Sequence, residues 1–141
     1  MAEKPKIAFF GTPDRAVIIL ESLKRVDLSP ALVVTQPDRA AGRKLIKTAP
    51  PVKIWADRWN IPVLQPENLE DRAFLRILEK GGFDIFVVVA YGKILKQKLL
   101  DIPGHGVLNL HASLLPRLRG ASPIETAILT DEKKTGVSII L

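Results

Sequence analysis

The chain has 141 residues, 47% of them apolar and 26% charged, with a formal net charge of +6, two histidines and no cysteine. That length fits one domain with its own core, burying roughly 68–70% of the unfolded surface. The composition excludes disulfides, thiolate catalysis and thiolate metal sites, and it leaves too few histidines for a zinc site built from side chains alone.

No apolar run approaches the ~18 residues of a membrane span. The start, Met1 to Lys6, lacks the long apolar core of a secretory signal, so a cytoplasmic protein is expected. The excess of cations points only weakly to an anionic partner such as nucleic acid.

In chain order, residues 6–10 read as a buried strand. In the turn that follows, Thr12 is expected to cap a helix, with Pro13 at its first position and the acid Asp14 in its first turn. Ala16, Leu20 and Leu23 continue that helix to about Arg25. Residues 31–35 form a second strand, 37–50 a polar, basic connection, 52–59 a helix and 61–64 a short strand. Leu69, Phe74, Ile77 and Leu78 mark a third helix that Gly81-Gly82 ends. Residues 83–89 are a continuous apolar run, as in a central parallel strand covered on both faces. A short helix at 94–100, a strand at 107–110, a helix at 123–129 and a sixth strand at 136–141 complete the pattern.

This alternation predicts an α/β fold: a Rossmann-like, open, mostly parallel sheet with helices on both faces and right-handed crossovers. Such sheets bind ligands at the carboxyl ends of strands, near the point where strand order reverses. Those ends are Gly11-Thr12, Ala90-Tyr91-Gly92 and Asn109–His111. The first turn is not Gly-x-Gly-x-x-Gly, and Thr12 and Pro13 obstruct the close approach a pyrophosphate needs. A dinucleotide is therefore not expected, and no Walker A pattern is present.

The most informative stretch is Asn109-Leu110-His111-Ala112-Ser113-Leu114-Leu115-Pro116. In an extended chain, residues two apart point to the same side, so Asn109 and His111 aim an amide and an imidazole into one space. Asn109 can donate to a developing oxyanion and His111 can move a proton. The plain alternative for His111 is a core histidine satisfied by a backbone carbonyl. Ser113 does not sit in a nucleophile elbow, which leaves direct transfer between two bound substrates. Residues 113–116 read either as a turn with two buried leucines or as a shelf for a flat heterocycle. His105 lies in turn composition and reads as a surface residue.

The 37–50 connection is long and carries Arg39, Arg43, Lys44 and Lys47 against one acid, Asp38. It is either a solvated loop or an arm that meets phosphates on binding nucleic acid. Trp55 and Trp59, four apart on a helix, have core spacing. The run from Asp131 to Lys134 reads as a solvated turn.

These residues resemble a known family. Phe10-Gly11-Thr12-Pro13-Asp14, Thr35-Gln36-Pro37-Asp38-Arg39, Gly42-Arg43, Pro51-Val52-Lys53, Val88-Val89-Ala90-Tyr91-Gly92, Asn109 to Arg117, Arg119-Gly120-Ala121, Pro123-Ile124 and Thr135-Gly136-Val137 together resemble the amino-terminal part of the methionyl-tRNA formyltransferases. These belong to the folate-dependent formyltransferases. The resemblance runs over nearly all 141 residues.

The resemblance implies formyl transfer from 10-formyltetrahydrofolate to the methionine amino group of initiator methionyl-tRNA, by a cytoplasmic monomer using no metal. It implies Asn109 as oxyanion stabiliser and His111 as its electrostatic and proton-transfer partner. Val89, Ala90, Tyr91, Gly92, Ser113, Leu114, Leu115 and Pro116 would contact folate. Arg39, Arg43, Lys44 and Lys47 would meet the tRNA acceptor end, with Arg43 as the key contact.

The family's third catalytic residue, an aspartate after the strand that here reaches Leu141, is not in this sequence. Nor are the later strands and the carboxy-terminal OB-like domain, and Asp131 precedes the last strand and is no substitute. The 141-residue chain alone is therefore expected to be inactive or nearly so. Two other readings stay open: a same-fold enzyme acting on a sugar nucleotide or small amine, and a non-catalytic RNA-binding module.

Overall fold

The computed structural model describes residues 3–120 and 123–141, the side chain of Glu125 excepted. Ala121, quoted in one of the resembling segments, lies outside the described residues. The elements run β1 (Ile7–Gly11), α1 (Asp14–Arg25), β2 (Leu32–Val34), β3 (Arg39–Ala41), β4 (Ile46–Thr48), α2 (Pro51–Arg58), β5 (Val63–Leu64), α3 (Arg72–Lys80), β6 (Ile85–Val89), α4 (Gln97–Leu100), β7 (Val107–His111), α5 (Pro123–Leu129) and β8 (Ser138–Ile140).

Six strands form one sheet in the order β5-β2-β1-β6-β7-β8. All pairings are parallel except β7 with β8, which is antiparallel. The expected mostly parallel α/β sheet is therefore observed. Its order reverses between β1 and β6: β2 and β5 extend one way from β1, and β6 to β8 the other. In such sheets the crevice outside the carboxyl ends at that reversal is where ligands sit.

Alternation along the strands feeds two apolar layers. Ala8, Phe10, Val34, Phe86 and Val88 pack with Phe74, Leu75 and Leu78 of α3 on one face. Phe9, Val33 and Val89 pack with Ala16 and Leu20 of α1 and Val52, Trp55 and Ala56 of α2 on the other. The α3 helix starts at Asp71, whose side chain accepts from the Phe74 amide at 3.0 Å, and ends at Gly81, with Gly82 at φ +63. Carboxylate cap and left-handed glycine follow the usual helix punctuation.

Three local expectations differ. Thr12 does not cap α1: the N-cap is Pro13, and the Thr12 hydroxyl instead donates across the sheet to the Tyr91 carbonyl at 2.8 Å. The hydroxyl is turned to that distant acceptor instead of accepting from the amides of the first helical turn. The 37–50 connection is not a plain loop; β3 and β4 pair as an antiparallel hairpin with Arg39 opposite Thr48. Trp55 is buried, its indole donating to Glu21 at 2.6 Å, but Trp59 is 43% exposed, with Lys24 over its ring at 3.8 Å. The α2 helix ends at Arg58, so Trp59 swings off the core face. Among the described residues no helix is long and apolar enough to cross a membrane.

Candidate active site

At the switch point, β1 ends in Gly11 and β6 in Val89, paired in register. A side chain at Gly11 would stand 2.7 Å from the Phe9 ring and 2.9 Å from both the Ala16 side chain and the Val89 carbonyl. Only glycine lets strand, helix and turn meet there.

The turn after β6 is conformationally unusual. Ala90 has φ +51 and Gly92 φ +95. For a residue with a Cβ, the left-handed region costs roughly 1–2 kcal/mol and persists only where the surroundings impose it. Here two side chains hold the intervening carbonyl: Thr12 Oγ1 at 2.8 Å and Gln36 Nε2 at 3.1 Å both donate to Tyr91 O.

Above this turn lies a cleft of about 580 Å³, lined by Val88 to Ile94, by Asn109 to Ala112, by Arg15, Ile18 and Ile19 of α1, and by Gly120, Pro123, Ile124 and Val137. That size suits a small-molecule ligand, and mostly apolar walls with a few polar groups are the usual make-up of such a site.

Asn109 and His111 both reach this cleft. They sit two apart on β7, Asn109 opposite Val88 of β6 and His111 opposite Ser138 of β8. Asn109 is exposed, and His111 half-buried. Among the described residues no hydrogen bond engages the Asn109 carboxamide, so its N–H groups are available to a ligand oxygen. His111 Nε2 lies 2.8 Å from the Leu118 carbonyl. A carbonyl only accepts, so in the neutral ring the proton is on Nε2 and Nδ1 keeps the lone pair. Leu118 itself sits at φ +56, the chain doubling back to offer that carbonyl. The plain reading of His111, a ring satisfied by backbone, is thus half right: one nitrogen is satisfied, and the ring still borders the cleft.

The other residues singled out from the sequence divide. Val89, Ala90, Tyr91 and Gly92 line the cleft. The Tyr91 ring turns into the core, 2% exposed and edge-on to Phe10 at 5.5 Å. Burial pushes its hydroxyl up from 10.0 to about 12, and that hydroxyl has no hydrogen-bond partner among the described residues.

Ser113, Leu114, Leu115 and Pro116 stand beside the cleft rather than in its lining. Ser113 is fully buried, its hydroxyl donating to the Arg117 carbonyl at 2.8 Å. Ser138 Oγ donates to Ser113 O at 2.6 Å and accepts from the Leu115 amide at 3.1 Å. The peptide before Pro116 is cis. The segment is a self-tied turn that carries the Leu118 carbonyl to His111. His105 is exposed, as its turn composition implied.

Arg39, Arg43, Lys44 and Lys47 are all exposed on the hairpin. Gly42 at φ +73 and Leu45 at φ +49 shape its tip, where Leu45 is 72% and Ile46 62% exposed.

Sequence reasoning missed Arg15 and Lys93, the two cations of the cleft lining. Their signal was positional: one lies in the first turns after β1, the other just after β6. Among the described residues no group of three or more histidines, aspartates and glutamates is placed to hold a metal ion.

Known proteins share the sequence and the fold of this chain. The formyl transferase family matches residues 5–141. The methionyl-tRNA formyltransferase of Halalkalibacterium halodurans is 50% identical over 135 residues, which is 96% of this chain and 43% of that protein. The Syntrophus aciditrophicus methionyl-tRNA formyltransferase is 51% identical over 137 residues, 97% of this chain and 44% of that protein. The chain thus spans less than half the length of the curated relatives it matches.

Among solved structures, glycinamide ribonucleotide transformylase 1 of Geobacillus kaustophilus superposes with a TM-score of 0.72 at 26% identity, covering 97% of this chain and 73% of that one. A formyltetrahydrofolate deformylase of Pseudomonas syringae shares the fold, with a TM-score of 0.71 at 21% identity over 98% of this chain and 46% of that one. By its sequence over nearly its whole length, and by its fold, this chain belongs to the formyl transferase family.

Proposed function

We propose that this chain is the amino-terminal part of an enzyme that moves a formyl group from 10-formyltetrahydrofolate to the methionine amino group of initiator methionyl-tRNA. The observation that carries the reading is the convergence of Asn109 and His111 on one cleft, floored by the Val89–Gly92 turn at the switch point of the sheet.

The bound folate supplies the activated formyl group. The residues of this chain do the rest. The carboxamide of Asn109 donates to the formyl oxygen as negative charge develops there, when the amine lone pair adds to the carbon. His111, with Nε2 committed to Leu118, offers Nδ1 to the proton that the attacking nitrogen must lose. The proton leaves with the departing folate nitrogen, and an amide remains on the methionine. The apolar walls of the cleft and the backbone groups of the Val89–Gly92 turn fit a flat heterocycle. Ser113, Leu114, Leu115 and Pro116, next in the chain after the lining residues Asn109 to Ala112, are proposed as further folate contacts. The exposed cations Arg39, Arg43, Lys44 and Lys47 serve the tRNA acceptor end.

The chain spans less than half the length of its relatives, so the activity proposed is that of the whole enzyme. The names of its relatives support the tRNA substrate, and the name of the deformylase neighbour supports folate.

The test uses the full-length protein. Asn109→Ala and His111→Ala are each expected to lower turnover by ~10²–10³, with folate affinity changed little. Near-normal turnover in either variant overturns the reading. A second reading, a small-molecule acceptor, draws on the glycinamide ribonucleotide neighbour. Arg43→Glu separates the two: a tRNA enzyme loses its macromolecular substrate, and a small-molecule enzyme does not.

A further inference from the structure

We propose that Gln36 is a positioning residue that ties the basic hairpin to the floor of the cleft, and that Arg39 acts on folate binding through it rather than on RNA alone. The inference rests on the functional reading above.

Gln36 is only 7% exposed, one of three buried polar side chains among the described residues. Its amide nitrogen donates to Tyr91 O at 3.1 Å. Its amide oxygen accepts from Arg39 Nη2, at the root of the hairpin, over a longer 3.4 Å. An amide can sit either way round, and a guanidinium, which only donates, must face its oxygen. Arg39 thus turns the Gln36 nitrogen towards the turn.

The same corner is tied twice more. Gln65 Nε2 donates to Gln36 O at 3.1 Å and to Asp38 Oδ1 at 2.6 Å, and Lys53 Nζ lies 3.8 Å from Asp38 Oδ2. A Cβ at Gly92 would stand 3.2 Å from Gln36 Nε2, so the side chain lies directly against the left-handed glycine. Ala90 and Gly92 hold strained or glycine-only conformations around the one carbonyl that Gln36 and Thr12 grip. Both residues line the cleft. The donor on Gln36 therefore sets the shape of the floor.

Arg39 differs in this from Arg43, Lys44 and Lys47. A phosphate that draws Arg39 outward competes with its hold on Gln36, and linkage makes that coupling reciprocal.

The test uses the full-length protein, with 5-formyltetrahydrofolate as the folate probe and an RNA acceptor-stem hairpin as the polyanion. Gln36→Met keeps the bulk and loses the donor. Gln36→Glu keeps an acceptor for Arg39 but presents only oxygens to Tyr91 O. Both are expected to weaken folate binding about five- to tenfold, the worth of one net hydrogen bond, and to raise KM for folate more than they lower kcat. Arg39→Ala is expected to show a smaller loss in the same direction, whereas Arg43→Ala lowers RNA affinity and leaves folate binding unmoved.

Hydrogen exchange gives a reading independent of ligand. In the Gln36 variants the amides of residues 90–93 lose protection, while those of β1 keep theirs. Uniform loss across β1 and the turn would mean a merely structural role and overturn the proposal, as would wild-type folate affinity in both Gln36 variants. If the unaltered protein binds no folate, the functional reading fails, and the exchange pattern alone decides the role of Gln36.

Discussion

The middle of the sheet and its β8 edge are built on opposite principles. β1 is buried at all five positions, between apolar layers on both faces. β8, at the far edge, has one half-buried residue and two exposed ones. β7 lies between them in both senses, with four half-buried residues and one exposed. The polar groups of the site sit where burial gives out. A carboxamide in β1 would be sealed and costly to bury, whereas Asn109 in β7 keeps a buried partner strand on one side and an open cleft on the other. Rigidity comes from one half of the molecule, and the polar groups that open to the cleft come from the border of the other.

The largest test of this contrast is a pair of truncations. Phe10→Ala removes a fully buried ring that packs on Phe86 at 5.1 Å, and is expected to cost about 3–5 kcal/mol in urea denaturation. Ile139→Ala, at a side chain 68% exposed, is expected to fall within about 0.5 kcal/mol of the parent. Equal costs would erase the distinction.

Next comes alkaline pH. The Tyr91 hydroxyl is held up at about 12 by burial, against an ordinary 10.0. Between those values the unfolded chain releases the proton while the folded chain keeps it. This contribution is therefore complete below about pH 10 and fades as pH rises through 12, by roughly 2–3 kcal/mol in all. Tyr91→Phe is expected to remove that share of the alkaline decline and to be near neutral at pH 7, since the hydroxyl it deletes has no partner among the described residues. Parallel stability–pH curves for the two proteins would contradict the assignment.

The smallest effect probes the border itself. Ser138→Ala removes a hydroxyl that ties the turn at 113–115 to β8, and is expected to cost about 1 kcal/mol by the same denaturation measurement. No change would show that the turn stands without β8.

Much of this was legible in the sequence, for physical reasons. Continuous apolar runs such as Phe86 to Val89 announce strands covered on both faces, and the period of two placed Asn109 and His111 on one side. The hairpin was not legible, because Arg39-Ala40-Ala41 and Ile46-Lys47-Thr48 are exposed throughout and no buried face imprints a pattern on them. Thr12 read as a helix cap because the carbonyl it serves lies 79 positions away. Ala90 gave no sign of its left-handed backbone, since alanine carries no local preference for it. The role of Gln36 was invisible for the same reason: its partners come from distant segments that only the fold assembles.

The hairpin's independence reaches beyond this chain. Between Ala40 and Thr48 it supports itself through its own ladder and contributes nothing to the apolar interior. Stability therefore exerts almost no selection on its tip, and folding sets no limit on what replaces Arg43, Lys44 and their neighbours. A different ribbon grafted just past Arg39 is therefore a change that the apolar interior would scarcely register.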